Sequence, residues 1–492
     1  MKILLVHPKT PSTFWSFSDA LKFISKKSSG IPLGLITVAG MLPKEWERKL
    51  IDLNVSPLKD KHILWADYVF LSGMNIQIKS FKNVIKRCNQ LGVKVVAGGP
   101  MVTSTQREFM GVDHFVLNEA EATLPRFIRD LKKGKPQPIY KSEGFPELST
   151  SPAPQWELLE MRKYAGMSIQ YSRGCPYNCE FCSIPMLNGR KPRTKSKKQF
   201  LYELETLYKT GWRGSVFIVD DNFIGKKTIL KSEILPGLIE WSKAKNYPFH
   251  FNTEATINLA DDEKLVKLMV KAGFESAFIG IETPNEESLA ECGKHHNQKR
   301  DMVDSVRKLQ HHGLQIQGGF IVGFDSDPPN IFKRQIDFIQ KSGIVTAMVG
   351  LLNAPLGTRL YKRLKSEDRL VNLTTGDNMD GSINFIPKMN YKKLVKGYKE
   401  LLSTIYSQKQ YYERVKTFIK EYQMPLKKVS SINFSDILAL LKSILKLGLI
   451  EKGKRYYWKL MAFSLFKYPK KFPLAVEMAI YGFHFRRVVK RV

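Results

Sequence analysis

Short apolar runs bounded by turn residues recur along roughly the first 350 residues of the chain, with amphipathic stretches such as 80–91 between them. Runs of this kind read as strands buried on both faces, and the stretches between them as the helices that cover those faces. A chain that alternates in this way builds parallel sheets, so the class is α/β. There are two series. The first has runs at 3–6, 50–53, 68–72, 93–97 and 114–117. It predicts a doubly wound parallel sheet over residues 1–134, whose ligands lie beyond the carboxyl ends of its strands. The second has runs at 167–171, 216–221, 249–254, 277–282, 318–324 and 346–352, with helical patterns such as 262–271 and 300–310 between them. Six such units over 166–358 predict a partial (β/α)6 barrel, with its chemistry at the carboxyl ends of the strands. Residues 135–165 are rich in Pro, Ser and Glu and read as a linker. Residues 359–492 read as a basic, mostly helical extension. A chain of 492 residues is long enough for two or three such domains.

The first strand of the second series runs into the stretch 173–182, which reads RGCPYNCEFC. Cys175, Cys179 and Cys182 stand at C-x3-C-x2-C spacing in a loop rich in turn residues. Three thiolates so close can hold one face of a four-iron cluster and leave the fourth iron open for chemistry. A structural zinc site needs four ligands, and no fourth Cys or His lies nearby. Cys88 and Cys292 stand alone, which argues against a disulfide framework and for a reducing compartment. The ends of later strands in this series are polar: Asp220 and Asp221 after the second, Glu254 after the third, Glu282 after the fourth. The fifth carries Gly319, Ile321 and Gly323. In the first series, Ser72 with Gly73 and Gly98 with Gly99 and Pro100 stand where a ligand would approach the backbone closely. A tight turn explains those glycines equally well.

The cysteine loop, with the aromatic Phe181 before its last cysteine, resembles the signature of the radical S-adenosylmethionine (SAM) enzymes. That resemblance implies a 4Fe-4S cluster on Cys175, Cys179 and Cys182 whose open iron takes the amino and carboxylate groups of SAM. One electron from the cluster then releases a 5′-deoxyadenosyl radical. It further implies that Asp220 and Asp221 lie at the methionine amino group. Gly319, Ile321 and Gly323 would lie along the adenine, and Glu254 and Glu282 are candidates for the ribose hydroxyls. Ser326 replaces the family's usual trailing glutamate. The run 94–100 (KVVAGGP), followed by 112–121 (VDHFVLNEAE), looks like the cobalamin-binding domain that precedes many radical SAM domains. Ser72, Gly73, Gly98, Gly99 and Pro100 would then surround the nucleotide tail of cobalamin. The Asp-x-His-x-x-Gly motif that supplies a histidine to cobalt elsewhere is absent, and His7 is not expected to replace it. The loop 10–17, with Phe14 and Trp15, is a candidate cover for the lower face of cobalt, and aromatic packing accounts for it as well.

The whole layout resembles the cobalamin-dependent radical SAM methyltransferases, especially relatives of the hopanoid C-methylases with their shared C-terminal extension. It implies a C-methyltransferase that acts on an unactivated carbon of an apolar, lipid or isoprenoid-like substrate, with a reductase, flavodoxin or ferredoxin as electron donor. Two rivals stand beside it, with RNA modification, prompted by the charge, as a third. One is a cobalamin-dependent radical SAM cyclase, C–C coupling or tetrapyrrole-modifying enzyme without net methyl transfer. The other is a non-catalytic cobalamin or redox sensor.

The formal net charge of +32 suggests an anionic neighbour, though the lysine-rich composition that an AT-rich genome gives would produce the same balance. Too few cysteines remain for methylthiolation and no RNA-binding module follows the barrel, so nucleic acid is not the expected partner. Residues 411–492 carry 18 Lys and Arg against 5 Asp and Glu, on amphipathic patterns such as 437–449. Basic amphipathic helices of this kind can lie on an anionic membrane surface, and they can equally cap the barrel with a solvated face. No apolar run approaches the roughly 20 residues that span a bilayer. The expected location is therefore cytoplasmic, with a peripheral place at the inner face of the membrane as the extension of that reading.

Overall fold

A computed structural model describes residues 1–377, 379–425 and 434–492. The first sheet is built from β1 (Lys2–His7), β2 (Glu47–Asp52), β3 (Tyr68–Ser72), β4 (Lys94–Gly98), β5 (His114–Val116) and β6 (Ile139–Tyr140). All six strands are parallel, in the order β2-β1-β3-β4-β5-β6. The apolar runs become its centre: Ile3 to Val6 are all fully buried, as a strand covered on both faces must be. The strand order reverses between β1 and β3, and the residues that end β3 and β4 line the open crevice.

After this sheet come β7 (Met167–Ile169) and a two-stranded antiparallel ribbon, β8 (Ser172–Arg173) with β9 (Arg193–Thr194). Then follow β10 (Gly214–Ile218), β11 (Phe249–Ala255), β12 (Phe274–Glu282), β13 (Gln315–Val322) and β14 (Ala347–Leu351). Together with β7 they form a parallel sheet ordered β14-β13-β12-β11-β10-β7. This is the six-stranded partial barrel, with β7 and β14 at its two edges. The helices expected at 262–271 and 300–310 are Glu263–Ala272 and Met302–His311, each begun by an aspartate cap, Asp262 and Asp301.

The stretch 135–165 does more than connect. It supplies β6, which pairs with β5, and it buries Trp156, whose indole N–H donates to Thr206 at 3.1 Å. The C-terminal helices Tyr391–Ile405 and Gln408–Glu421 lie along the barrel's open edge. There the Tyr406 hydroxyl donates to the Ala347 carbonyl at 2.7 Å and accepts from the Ala347 N–H at 3.2 Å. The Tyr398 hydroxyl donates to the Val349 carbonyl at 3.1 Å. An edge strand's unpaired backbone groups invite foreign strands, and here tyrosines occupy them. The loop 10–17 packs between the last helix and the barrel. Phe14 stacks on Phe485 of the last helix, Phe472–Val489, at 4.3 Å, and Trp15 meets Phe278 of β12 edge-on. Buried His484 donates from Nε2 to the Phe14 carbonyl at 2.9 Å. Aromatic packing is what these contacts of the loop show. Part of the helical pattern expected over 391–492, at 426–433, lies outside the described residues.

Candidate active site

The cysteine loop is held from behind by the residues that end β10. Asp220 accepts from the N–H groups of Tyr171 and Ser172, both at 2.8 Å, and from the Ser172 hydroxyl at 2.6 Å. It is thereby committed to the turn between β7 and β8. Asp221 accepts from the Gly174 N–H at 2.7 Å and from the Asn188 amide at 2.9 Å. Gly174 has φ +93°, and a Cβ there would press on the carbonyls of Asn188 and Gly189, so the loop's first turn requires glycine. Further on, the Glu180 N–H donates to the Cys292 carbonyl at 2.8 Å, and the Glu180 carboxylate pairs with Arg363. Tyr177 stacks on His296 at 3.8 Å and accepts from Asn258 at 2.8 Å.

Cys175, Cys179 and Cys182 are free and half-buried. Burial raises all three thiols; neighbouring sulfurs add to the rise at Cys179 and Cys182, and Asp221 adds to it at Cys175; Cys182 is pushed up to about 12. Three crowded thiols that resist ionisation fit a group that brings positive charge of its own, as an iron–sulfur cluster does. Among the described residues no three Cys, His, Asp or Glu converge on a single-ion site. Cys88 and Cys292 are buried, and Cys292 lies near enough to the loop to feel the charge of Cys179; burial raises both thiols, Cys88 to about 12.

Glu254, at the end of β11, accepts no hydrogen bond among the described residues. Burial raises its carboxyl to about 7, with Asp221 and Asp220 contributing. Asp220 is likewise raised to about 7, chiefly by burial. Buried acids crowded at adjacent strand ends suit a cationic ligand, and the sulfonium and ammonium of SAM carry such charge. Glu282 is placed differently. It stands at φ +62° and pairs with buried Lys294, which also feels the charge of Cys179. Lys294 had no signal in the sequence. The Glu282–Lys294 pair lies where a Cβ on Gly280 would stand, which explains the glycine. On β13, Gly319 gives way to the ring of Phe278, 2.7 Å from where its Cβ would be. Ile321 packs in the cluster that contains Phe181 of the cysteine loop. Gly323, at φ +106°, donates its N–H to Asp327 at 2.8 Å, and the Ser326 N–H donates to Glu291 at 2.7 Å.

Between the two sheets lies a cavity of about 790 Å³, toward the upper end of the roughly 300–1,000 Å³ usual for ligand pockets. Ser72, Gly98, Gly99 and Pro100 line one wall; Gln170, Arg173, Ser183, Ile184 and Asp221 line the other. Leu373, Thr374 and Gly376 of the C-terminal extension also face it. Gly99, at φ +92°, leaves no room for a Cβ against the Ser72 hydroxyl, and a Cβ on Gly98 would stand 2.8 Å from the Val116 carbonyl. Bare backbone at this wall fits the close approach of a large cofactor. Gly73 does not line the cavity and packs against Gln77, Phe81 and Pro8. His7 does not line it either: its Nε2 lies 3.2 Å from the Gln77 amide, and burial lowers its pKa.

A buried charge network joins the two walls. Arg173, directly before the cysteine loop, donates to Glu119 at 2.6 Å and to Glu121 at 2.8 and 3.0 Å. Arg193 of β9 donates to Glu119 at 2.6 and 3.0 Å. Both glutamates belong to the motif 112–121, but their partners lie more than fifty residues away and spacing does not reveal them.

Three family models match the chain: a B12 binding domain at 23–128, the radical SAM superfamily at 169–351, and a domain of unknown function, DUF4070, at 358–492. The hopanoid C-2 methylase of Rhodopseudomonas palustris is 32% identical over 470 residues, covering 93% of this chain and 88% of that protein. An uncharacterized methyltransferase of Synechocystis sp. is 39% identical over 500 residues, covering 100% of this chain and 93% of that protein. Among solved structures, the cobalamin-dependent SAM radical enzyme OxsB, with aqua-cobalamin and SAM bound, superposes with a TM-score of 0.64. It is 15% identical, and the match covers 100% of this chain and 80% of that one. The radical SAM methyltransferase TsrM from Kitasatospora setae, with cobalamin and a [4Fe-4S] cluster bound, gives 0.59 at 12% identity, covering 98% of each chain. At these identities the two structures speak for the fold.

Proposed function

The chain belongs to the B12-binding radical SAM family that includes hopanoid C-2 methylase, and is a cobalamin-dependent radical SAM methyltransferase; from that premise we propose that its acceptor is an unactivated carbon of an apolar, lipid- or isoprenoid-like substrate. One observation carries the proposal. The glycine wall at Gly98–Pro100 and the cysteine-loop wall at Asp221 and Ser183–Ile184 face a single cavity, so groups held on the two walls could meet over one substrate. Its interior is largely apolar, with Phe70, Val96 and Leu124 beside Leu33 and Met41.

When bound, the cluster with SAM supplies a radical that abstracts hydrogen from carbon, and cobalamin supplies the methyl group. The protein's share is position and exclusion of water. Cys175, Cys179 and Cys182 would hold the cluster, with Asp221 and Asp220 fixing their loop. Glu254, which accepts no hydrogen bond among the described residues, would face the charge or hydroxyls of SAM. Ser72, Gly98, Gly99 and Pro100 would receive the cobalamin tail, while Leu373–Gly376 shield the cavity from solvent. No side chain need act as a base on the substrate, whose C–H lies beyond the reach of side-chain pKa values. An external reductase, flavodoxin or ferredoxin would supply the electron.

The test is incubation of the reduced, reconstituted enzyme with methyl-deuterated SAM and a bacterial lipid extract. Deuterated methyl in an apolar product supports the reading. Formation of 5′-deoxyadenosine with no label in any lipid would sink the substrate assignment and turn attention to a cyclase or coupling reaction.

A further inference from the structure

The chain contains a helical hairpin that the cavity does not use. Its first arm is Phe434–Ser443, continued as Ile444–Ile450, and its second is Lys454–Lys467. The inner face is sound core: Ala439, Leu447, Tyr457 and Leu460 are buried, and the Ser443 hydroxyl lies 2.9 Å from that of Tyr457. Lys442 ties the hairpin to the amino-terminal region through the Ser25 hydroxyl at 3.0 Å.

The outer face has the opposite character. Ile437, Leu441, Leu445 and Leu449 repeat every fourth residue and so form one row, each exposed by 48–57%. The second arm adds Trp458, exposed by 45%, and Phe466, by 83%. Trp458 donates its indole N–H to the Gly448 carbonyl at 2.9 Å, so the two apolar rows meet there. Contiguous apolar surface facing water marks an interaction site. Its surroundings say what kind: residues 434–471 hold nine Lys and Arg against Asp436 and Glu451 alone. A second copy of this hairpin would bring like charge against like charge. A nucleic acid would satisfy the lysines and leave the leucines wet. An anionic bilayer satisfies both, phosphates outside and acyl chains within.

We propose that this hairpin docks the enzyme on an anionic membrane surface, with the Ile437–Leu449 row and Phe466 in the interfacial zone and the lysines at the headgroups. Among the described residues no helix is long and apolar enough to cross a membrane, so the contact is peripheral. The proposal does not rest on the nature of the methyl acceptor.

The test is flotation of the full-length holoenzyme with vesicles of equal parts phosphatidylglycerol and phosphatidylethanolamine, against vesicles of phosphatidylcholine. The enzyme should float with the first and not the second, and less so as salt rises. Leu445→Glu with Leu449→Glu should cut partition about tenfold or more, because two apolar anchors are lost. Cluster absorbance and 5′-deoxyadenosine formation should be unchanged. Should that variant lose its cluster, Lys452→Gln with Lys454→Gln and Arg455→Gln keeps the question open to test, and should weaken partition and flatten its salt dependence. Flotation unaltered in either well-folded variant overturns the proposal. So does a parent enzyme that fails to float, or one whose dimer the leucine substitutions dissolve, since a second copy would then be the occupant.

Discussion

Cys179 stands mid-loop, where it feels the charge of Cys175, and Cys182 feels that of both. Cys179→Ala should abolish both the iron–sulfur absorbance after anaerobic reconstitution and the formation of 5′-deoxyadenosine; cleavage that survives would remove the cluster from this loop. These cysteines are legible from spacing because the ligands of one cube must be close in the chain. The residues that hold the loop are not. Glu180 and its partner Arg363 stand 183 residues apart, and Arg363 also reaches Asp325, as does Arg369. Asp325 is 8% exposed. Burial would raise its carboxyl, but hydrogen bonds from Arg369 and Arg363 outweigh this and hold it below the ordinary value of about 3.9. A carboxyl depressed in the folded state stabilises above its unfolded pKa, and that contribution fades as pH falls through the folded value. Asp325→Asn should therefore cost roughly 2 kcal/mol at neutral pH, read as a lower urea midpoint. The gap between variant and parent should narrow once the pH drops below about 4; a gap independent of pH would mean that shape, rather than charge, holds this knot.

Strands longer than four residues announce themselves through apolar runs, and each run expected in the two series has its strand. The two-residue strands β6, β8 and β9 have no such pattern, because so short a pairing is imposed by its neighbours. The glycines after β3 and β4 show the limit of reading composition without coordinates. Gly73 and Gly99 look alike in sequence, yet Gly73 packs into its own domain while Gly99 faces the cavity at positive φ. Gly99→Val should therefore push the Ser72 side and the start of helix Pro100–Thr105 into the cavity. Cobalamin affinity should fall at least about tenfold, the equivalent of 1.4 kcal/mol of lost contact or added strain. SAM cleavage should persist, since the cluster lies on the other wall. Loss of both activities at once would make the glycine a folding requirement of the whole chain.

Over the whole molecule the decisive feature is how one sheet is set against the other, and no periodicity encodes that. It depends on Glu119 and Glu121 meeting Arg173 and Arg193, four side chains that are each at most 15% exposed. Charges so buried are costly unless paired, so the network favours one relative placement of the two walls over its neighbours. Glu119→Gln would leave Arg193 without its carboxylate and Arg173 with Glu121 alone. Unfolding free energy should drop by roughly 3 kcal/mol. The more telling readout is the ratio of two activities in one enzyme. SAM cleavage needs only the barrel and should survive, whereas methyl transfer needs both walls in register. A misplacement of about 1 Å at a reacting centre can cost about a hundredfold, so methyl transfer should fall by that order while 5′-deoxyadenosine formation continues. Cobalamin should still bind, since its wall is intact. If cleavage and transfer instead decline in step, the network supports folding alone, and alignment of the two walls must come from the linker and the C-terminal extension.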